Sequence, residues 1–254
     1  MPVTLDQIVA RTRARVAEAG KSADRAELEL RAREHKVRGF RRALEQASGR
    51  DVAVIAELKR ASPSRGVIRG GFAVGGLAQQ LAKAGAAALS VLTEEEFFQG
   101  SLVYLDEASI ASDLPCLRKD FILDEFQLLE ARAHRADAVL LIAAALAPVE
   151  LPPLALRARE LELDVLCEVH DEAELRRALD AGCEIIGVNS RDLRTFQVDL
   201  GTALRLAPQI PAGVLRVAES GIRTADDIHH LRSAGYQAFL IGESLMQADS
   251  PGAA

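Results

Sequence analysis

The sequence predicts an α/β protein: one closed (β/α)8 barrel carrying an N-terminal helical extension. Three observations lead there. Eight short aliphatic runs recur from Val52 onward, continuous rather than alternating, as strands covered on both faces must be. Charged segments of helical period lie between them, and alternation of strand with helix builds a parallel sheet. The runs end at Glu57, Leu92, Lys119, Ile142, Glu168, Asn189, Glu219 and Gly242. Eight such units in 254 residues fit a TIM barrel, typically ~250 residues long. An open doubly wound sheet would usually offer a G-x-G-x-x-G turn after its first strand, and none is present there.

Taken in order, residues 1–50 read as helical. Leu5, Ile8, Val9 and Val16 make one amphipathic stretch, and Leu28 to Ala47 a second, heavily charged one. They are expected to pack on the barrel, which occupies 51–247. The strands are VAVIAEL from Val52, AALSVLT from Ala87, PCLRK from Pro115 and AVLLIA from Ala138, then DVLCEV from Asp164, EIIGVN from Glu184, VLRVAES from Val214 and AFLIG from Ala238. Helix signals separate them. Leu77, Leu81 and Ala84 form an apolar face that stops at Gly85. Asp171 with Glu174 starts a helix as a D-x-x-E capping box, Leu175, Ala178 and Leu179 supply its face, and Gly182 stops it. Thr224 with Asp227 repeats the start signal, and Gly235 the stop. Residues 248–254 are expected to be a loose tail.

The composition narrows the function. A net charge of −6 argues against nucleic acid as the main partner. The first twenty residues contain no continuous apolar run, so no secretory signal is expected. The longest apolar stretch, Ala138 to Val149, is short of the roughly 20 residues a membrane span needs. Three scattered cysteines, Cys116, Cys167 and Cys183, resemble neither a disulfide framework nor a zinc site and fit a reducing cytoplasm.

Barrel chemistry belongs at the strand C-termini. Here those ends carry Glu57 and Lys59, Lys119, Glu168, Asn189 and Arg191, and Glu219. Ionisable groups that follow aliphatic runs are costly if buried unpaired. Carboxylates, amines and a guanidinium converging on one mouth suit proton transfer. Strand seven runs into Ser220-Gly221 and strand eight into Gly242-Glu243, where barrels frequently hold phosphate. Glu243 would offer its backbone there while its carboxylate points away. The segment SPSRG, from Ser62, reads as a polar loop over the site. Phe97-Phe98 would flank an aromatic substrate or serve loop packing. The pair Glu168 and His170 lacks a third metal ligand, and His229-His230 lie on a helix away from the mouth.

Longer blocks now identify a resemblance. IAELKRASPSRGVI from Ile55, LSVLTEEEFFQGS from Leu89, PCLRKDFILDEFQLLEAR from Pro115, CEVHDEAEL from Cys167, IIGVNSRDLRTFQVDL from Ile185, ESGIRTADDI and LIGESLM stand in the order found in indole-3-glycerol-phosphate synthases of tryptophan biosynthesis. The resemblance spans most of 52–246. It is looser at GGFAVGGLA from Gly70 and across APVELPPLALRARELELD. It implies ring closure of 1-(2-carboxyphenylamino)-1-deoxyribulose 5-phosphate to indole-3-glycerol phosphate, with loss of CO2 and water. Lys119 would be the general acid and Glu168 the base of dehydration. Glu57 and Lys59 would steer protonation and geometry. Asn189 would orient the reacting group, and Glu219 would hold Lys119 or a substrate hydroxyl. Arg191 would clamp the carboxylate by two parallel bonds. Ser62, Phe121, Ser220, Gly221, Gly242 and Glu243 would line the substrate and its phosphate. No metal or organic cofactor is required. The partner is a small phosphorylated substrate, with room for association with other tryptophan-pathway enzymes.

Carboxylates keep a lysine protonated, while burial and a second ammonium oppose them, so Lys119 is expected to stand between these effects beside Lys59. Two rivals remain open at this point. Another phosphosugar barrel, such as a phosphoribosylanthranilate isomerase or a tryptophan synthase α-like lyase, would use the same architecture. A non-catalytic barrel would bind phosphorylated metabolites without making product.

Overall fold

The computed structural model describes residues 4–192 and 197–254. Eight parallel strands close a barrel in sequence order. They are β1 (Ala53–Leu58), β2 (Ala88–Leu92), β3 (Cys116–Lys119), β4 (Ala138–Ile142), β5 (Asp164–Val169), β6 (Ile185–Asn189), β7 (Leu215–Glu219) and β8 (Ala238–Ile241). The first and last pair with Ala53 opposite Ala238, which completes the ring. Each expected strand end lies within a residue of the observed one.

Alternation inside each strand sorts its side chains between two cores. Ile55, Leu117, Leu140, Leu166, Val217 and Leu240 point inward and fill the barrel. Ala56, Val91, Val139, Cys167, Ile186 and Ala218 pack outward with the helices. One step beyond the apolar inner layers, the inward positions become Glu57, Lys119, Glu168 and Glu219. The site is thus the next layer of the barrel's own stacking.

The N-terminal segment forms α1 (Leu5–Ser22), α2 (Arg25–Glu34) and α3 (Phe40–Ser48). The second stretch, expected from Leu28 to Ala47 as one, is broken between His35 and Gly39. Gly39 adopts a left-handed φ of 77°, which an L side chain would strain. Buried Asp137 holds the break. It accepts the Arg38 backbone N–H at 2.6 Å, the Arg38 guanidinium at 2.6 Å and the Cys116 N–H at 2.7 Å, and it meets His35 Nε2 at 3.2 Å. Thus directed, α3 inserts fully buried Phe40 and Leu44 against the starts of the strands.

The remaining helices are α4 (Val74–Lys83), α5 (Leu102–Ala111), α6 (Glu125–Ala133), α7 (Leu151–Glu160), α8 (Glu172–Asp180), α9 (Gly201–Leu206), α10 (Ala225–Ser233) and α11 (Glu243–Gln247). Thr224 and Asp227 make the expected reciprocal cap of α10. At α8 the box is half made. Asp171 accepts from the Glu174 N–H, but the Glu174 carboxylate turns to His170 instead. The tail, expected to be loose, is tied down: the Arg69 guanidinium donates to the carbonyls of Met246 and Ala248, and Pro251 is buried. All three cysteines are buried and free. Among the described residues no helix is long and apolar enough to cross a membrane.

Candidate active site

A cavity of about 730 Å³ opens at the C-terminal ends of the strands, within the range of small-molecule sites. It is lined by every residue assigned to the site from sequence: Glu57, Lys59, Ser62, Lys119, Phe121, Glu168, Asn189, Arg191, Glu219, Ser220, Gly221, Gly242 and Glu243. Phe98 lines it too, whereas Phe97 does not. Residues 193–196 of the matched block lie outside the described residues. His229 and His230 sit exposed on α10, away from the cavity.

Lys119 occupies the centre. Its Nζ lies 3.2 Å from Glu168 Oε2 and 3.7 Å from Glu219 Oε2. Lys59, on the same side of its chain as Glu57, donates to Glu57 Oε1 at 2.6 Å. Both glutamates facing Lys119 are 2% exposed, so the interactions act with little solvent screening.

The balance expected at Lys119 is not met. Burial lowers its affinity for a proton, but Glu168, Glu219 and Glu57 outweigh burial, and the ammonium is held above the ordinary lysine range. Lys59 is engaged with Glu57 instead. Burial pushes Glu168 up, yet Lys119, His170 and Asn189 together hold it well below the usual carboxylate range. Glu57 is likewise lowered, as Lys59 and Lys119 overcome burial. Glu219 goes the other way. Burial raises it, Lys119 offsets only part, and repulsion from Glu168 and Glu57 leaves it at about 8. Within the pocket, burial and acidic neighbours thus favour the neutral form of Glu219, while nearby cations favour the charged forms of Glu57 and Glu168.

Two glycines make room for these acids. A Cβ on Gly187 would collide with Glu219 Oε1, and one on Gly242 would stand 2.6 Å from Glu57 Oε1. Ser220 and Gly221 both have positive φ, 61° and 80°, which brings turned backbone to the wall beside Gly242. The Glu243 carboxylate is directed to Arg65 Nε at 3.1 Å and Arg191 Nη2 at 3.8 Å. The Ser62 segment folds as a small hairpin, Ala61–Ser62 against Gly66–Val67, and thereby delivers Arg65 to that contact.

Several contributors were not singled out by sequence. Buried Glu94 accepts the backbone N–H groups of Glu96, Phe97 and Phe98, and so shapes the loop that sets Phe98 6.3 Å from Phe121. Arg118 and Asp120 flank Lys119; Arg118 faces the helix layer, while Asp120 also reaches the cavity wall. Arg118 pairs with Asp120 at 2.9 Å and with Glu130 of α6 at 2.8 Å. Leu5 and Ile8 of α1 also reach the cavity. The strand period would have found Arg118, since the residue before an inward lysine must point outward.

Comparison with known proteins agrees with this geometry. A family model described as indole-3-glycerol phosphate synthase matches residues 5–254. A protein of that name from Koribacter versatilis (strain Ellin345) is 56% identical over 253 residues, covering 100% of this chain and 97% of the relative. Another from Burkholderia vietnamiensis (strain G4 / LMG 22486) is 49% identical over 252 residues, covering 98% and 96%. Among solved structures, N-acetylmannosamine-6-phosphate 2-epimerase from Clostridium perfringens superposes with a TM-score of 0.63 at 13% identity, over 78% of this chain and 88% of that one. That likeness concerns the fold alone.

Proposed function

The chain belongs to the indole-3-glycerol phosphate synthase family, carboxy-lyases of tryptophan biosynthesis, and from that premise we propose how its third barrel layer closes the indole ring. The substrate, 1-(2-carboxyphenylamino)-1-deoxyribulose 5-phosphate, enters with its phosphate against the turned backbone of Ser220, Gly221 and Gly242. Its aromatic ring lies by Phe98 and Phe121, and Arg191 clamps its carboxylate. The observation that carries this reading is the bridge from Lys119 to Glu168 and Glu219 inside the cavity.

Attack of the aromatic carbon on the ketone builds charge on oxygen, and Lys119 protonates it. A strongly held ammonium is a weak acid in the empty site, so substrate binding must draw it from its carboxylates. Once Lys119 has given up its proton, the nearest cation that depressed Glu168 is gone and Glu168 becomes more basic. The acid step thereby arms the base step. Loss of CO2 restores the electrons of the ring; Glu168 then removes the proton of the substrate nitrogen while Lys59 protonates the departing hydroxyl, which leaves as water. Asn189 and Glu219 orient the groups that exchange those protons, while Glu57 holds Lys59 toward the substrate. A cytoplasmic setting is part of the same proposal, supported by the free cysteines.

Incubation with this substrate should release CO2 and produce indole absorbance and fluorescence. The signal is readily seen because the chain contains no tryptophan. Turnover to an isomer without CO2 would favour the isomerase alternative, and binding without turnover the non-catalytic one.

A further inference from the structure

His170 is the first residue beyond β5, two positions after Glu168, so both side chains lie on the same side of the strand. Glu168 lines the cavity and His170 does not. The imidazole is 14% exposed and stands between two acids. Nδ1 lies 2.9 Å from Glu174 Oε2, an oxygen that also accepts the His170 backbone N–H at 2.8 Å. Nε2 is buried and lies 3.4 Å from Glu168 Oε1, an ion-pair distance without hydrogen-bond alignment, and it has no hydrogen-bond partner among the described residues. A carboxylate therefore faces each ring nitrogen. Neither, when ionised, can serve as donor to a neutral ring's acceptor, so the arrangement favours a proton on both nitrogens.

We propose that His170 is a positioning residue for this enzyme: anchored by Glu174, its imidazolium fixes Glu168 Oε1 and so aims Oε2 at Lys119 and the substrate. The proposal rests on the reading of Glu168 as the base. A carboxylate tied by one cation can pivot about its terminal bond. A cation on each oxygen removes that freedom and keeps the group ionised despite burial. The charged groups facing the ring are Glu168 of β5 and Glu174 of α8; beyond Glu168 stand Lys119 of β3, Glu219 of β7 and Glu57 of β1. Burial disfavours the imidazolium, but Glu168 and Glu174 outweigh it and hold His170 at about 10. The cation thus persists after Lys119 has surrendered its proton, when Glu168 has to hold its aim alone.

The test begins with the wild-type protein labelled with 15N in its five histidines. The His170 signals are assigned by their loss in His170→Gln. Both ring nitrogens should be protonated at pH 8, and a neutral ring at that pH overturns the proposal whatever the kinetics of the variants. With the substrate above, His170→Ala should lower kcat by about 100-fold, the scale of a misplaced catalytic group, with KM little changed. Loss of a cation beside Glu168 should also move the acid limb of its kcat profile upward by about one pH unit. His170→Gln, which retains a donor without the charge, should recover part of kcat but not the position of the limb. A lower kcat with an unmoved limb would indicate packing alone and overturns the proposal, as does an unchanged kcat. Glu168→Gln separates the two readings. If it retains turnover, the base assignment falls. If it is inactive while His170→Ala behaves as wild type, only the positioning role falls.

Discussion

Lys119 follows Arg118 in β3, and strand geometry sends Lys119 into the cavity and Arg118 into the helix layer, where it pairs with Asp120 at the cavity wall. The same period makes Glu57 with Lys59, and Glu168 with His170, partners two residues apart, so these pairs were readable from the chain. Lys119→Met should keep the fold and lower kcat by roughly 10²–10⁴-fold, the usual contribution of a general acid. Circular dichroism and steady-state kinetics check both halves, and near-normal kcat would remove Lys119 from the chemistry. Gly187 was not readable, because its importance depends on Glu219 of the adjacent strand. Gly187→Ala should displace Glu219 from Lys119. We expect kcat to drop by about 100-fold, with stability lowered by about 1–3 kcal/mol for overpacking. Wild-type kinetics in that variant would mean that Glu219 is free to relocate without consequence.

At the scale of elements, strand ends were legible because each aliphatic run stops at a group that cannot be left buried without a partner. The split of the extension into α2 and α3 was not, since it is fixed by Asp137, 99 residues beyond Arg38. Asp137→Ala would leave the partly buried Arg38 guanidinium without its carboxylate and unhook the link between the two helices. Breaking a buried pair of this kind typically costs about 3–5 kcal/mol, which urea denaturation would register. A second element-level device ties β3 to α6. Arg118, fully buried, joins Asp120 to Glu130 and also donates to the Gln127 carbonyl at 2.9 Å. Arg118→Leu should destabilise by a similar amount, as it removes the buried cation that pairs with Asp120 and Glu130. Asp120 also meets Arg15 of α1 at 3.6 Å, so that loss should loosen α1. Faster amide exchange along α1 would report it; unchanged exchange would show that α1 docks without help from this ion pair.

For the molecule as a whole, the shifted groups set how stability follows pH. Asp137 is lowered because, against the upward push of burial, His35, Arg38 and the Cys116 N–H favour its charged form. On acidification below its ordinary value near 3.8 the unfolded chain takes up that proton first, so stability falls there. Glu219 rises from 4.5 to about 8 and His170 from 6.5 to about 10. Over those intervals the folded chain binds protons that the unfolded chain has released, so both contributions fade as pH climbs. The melting temperature should therefore be highest in mild acid and decline steadily toward pH 10; scanning calorimetry in matched ionic strength tests this, and a plateau from 5 to 10 would contradict it. Phe40 and Leu44 have a different kind of consequence. By corking the floor of the barrel they leave, among the described residues, the doorway at its roof. Gas, water and finished product must then depart by the route the reactant took, and whichever leaves last governs when the next molecule can enter.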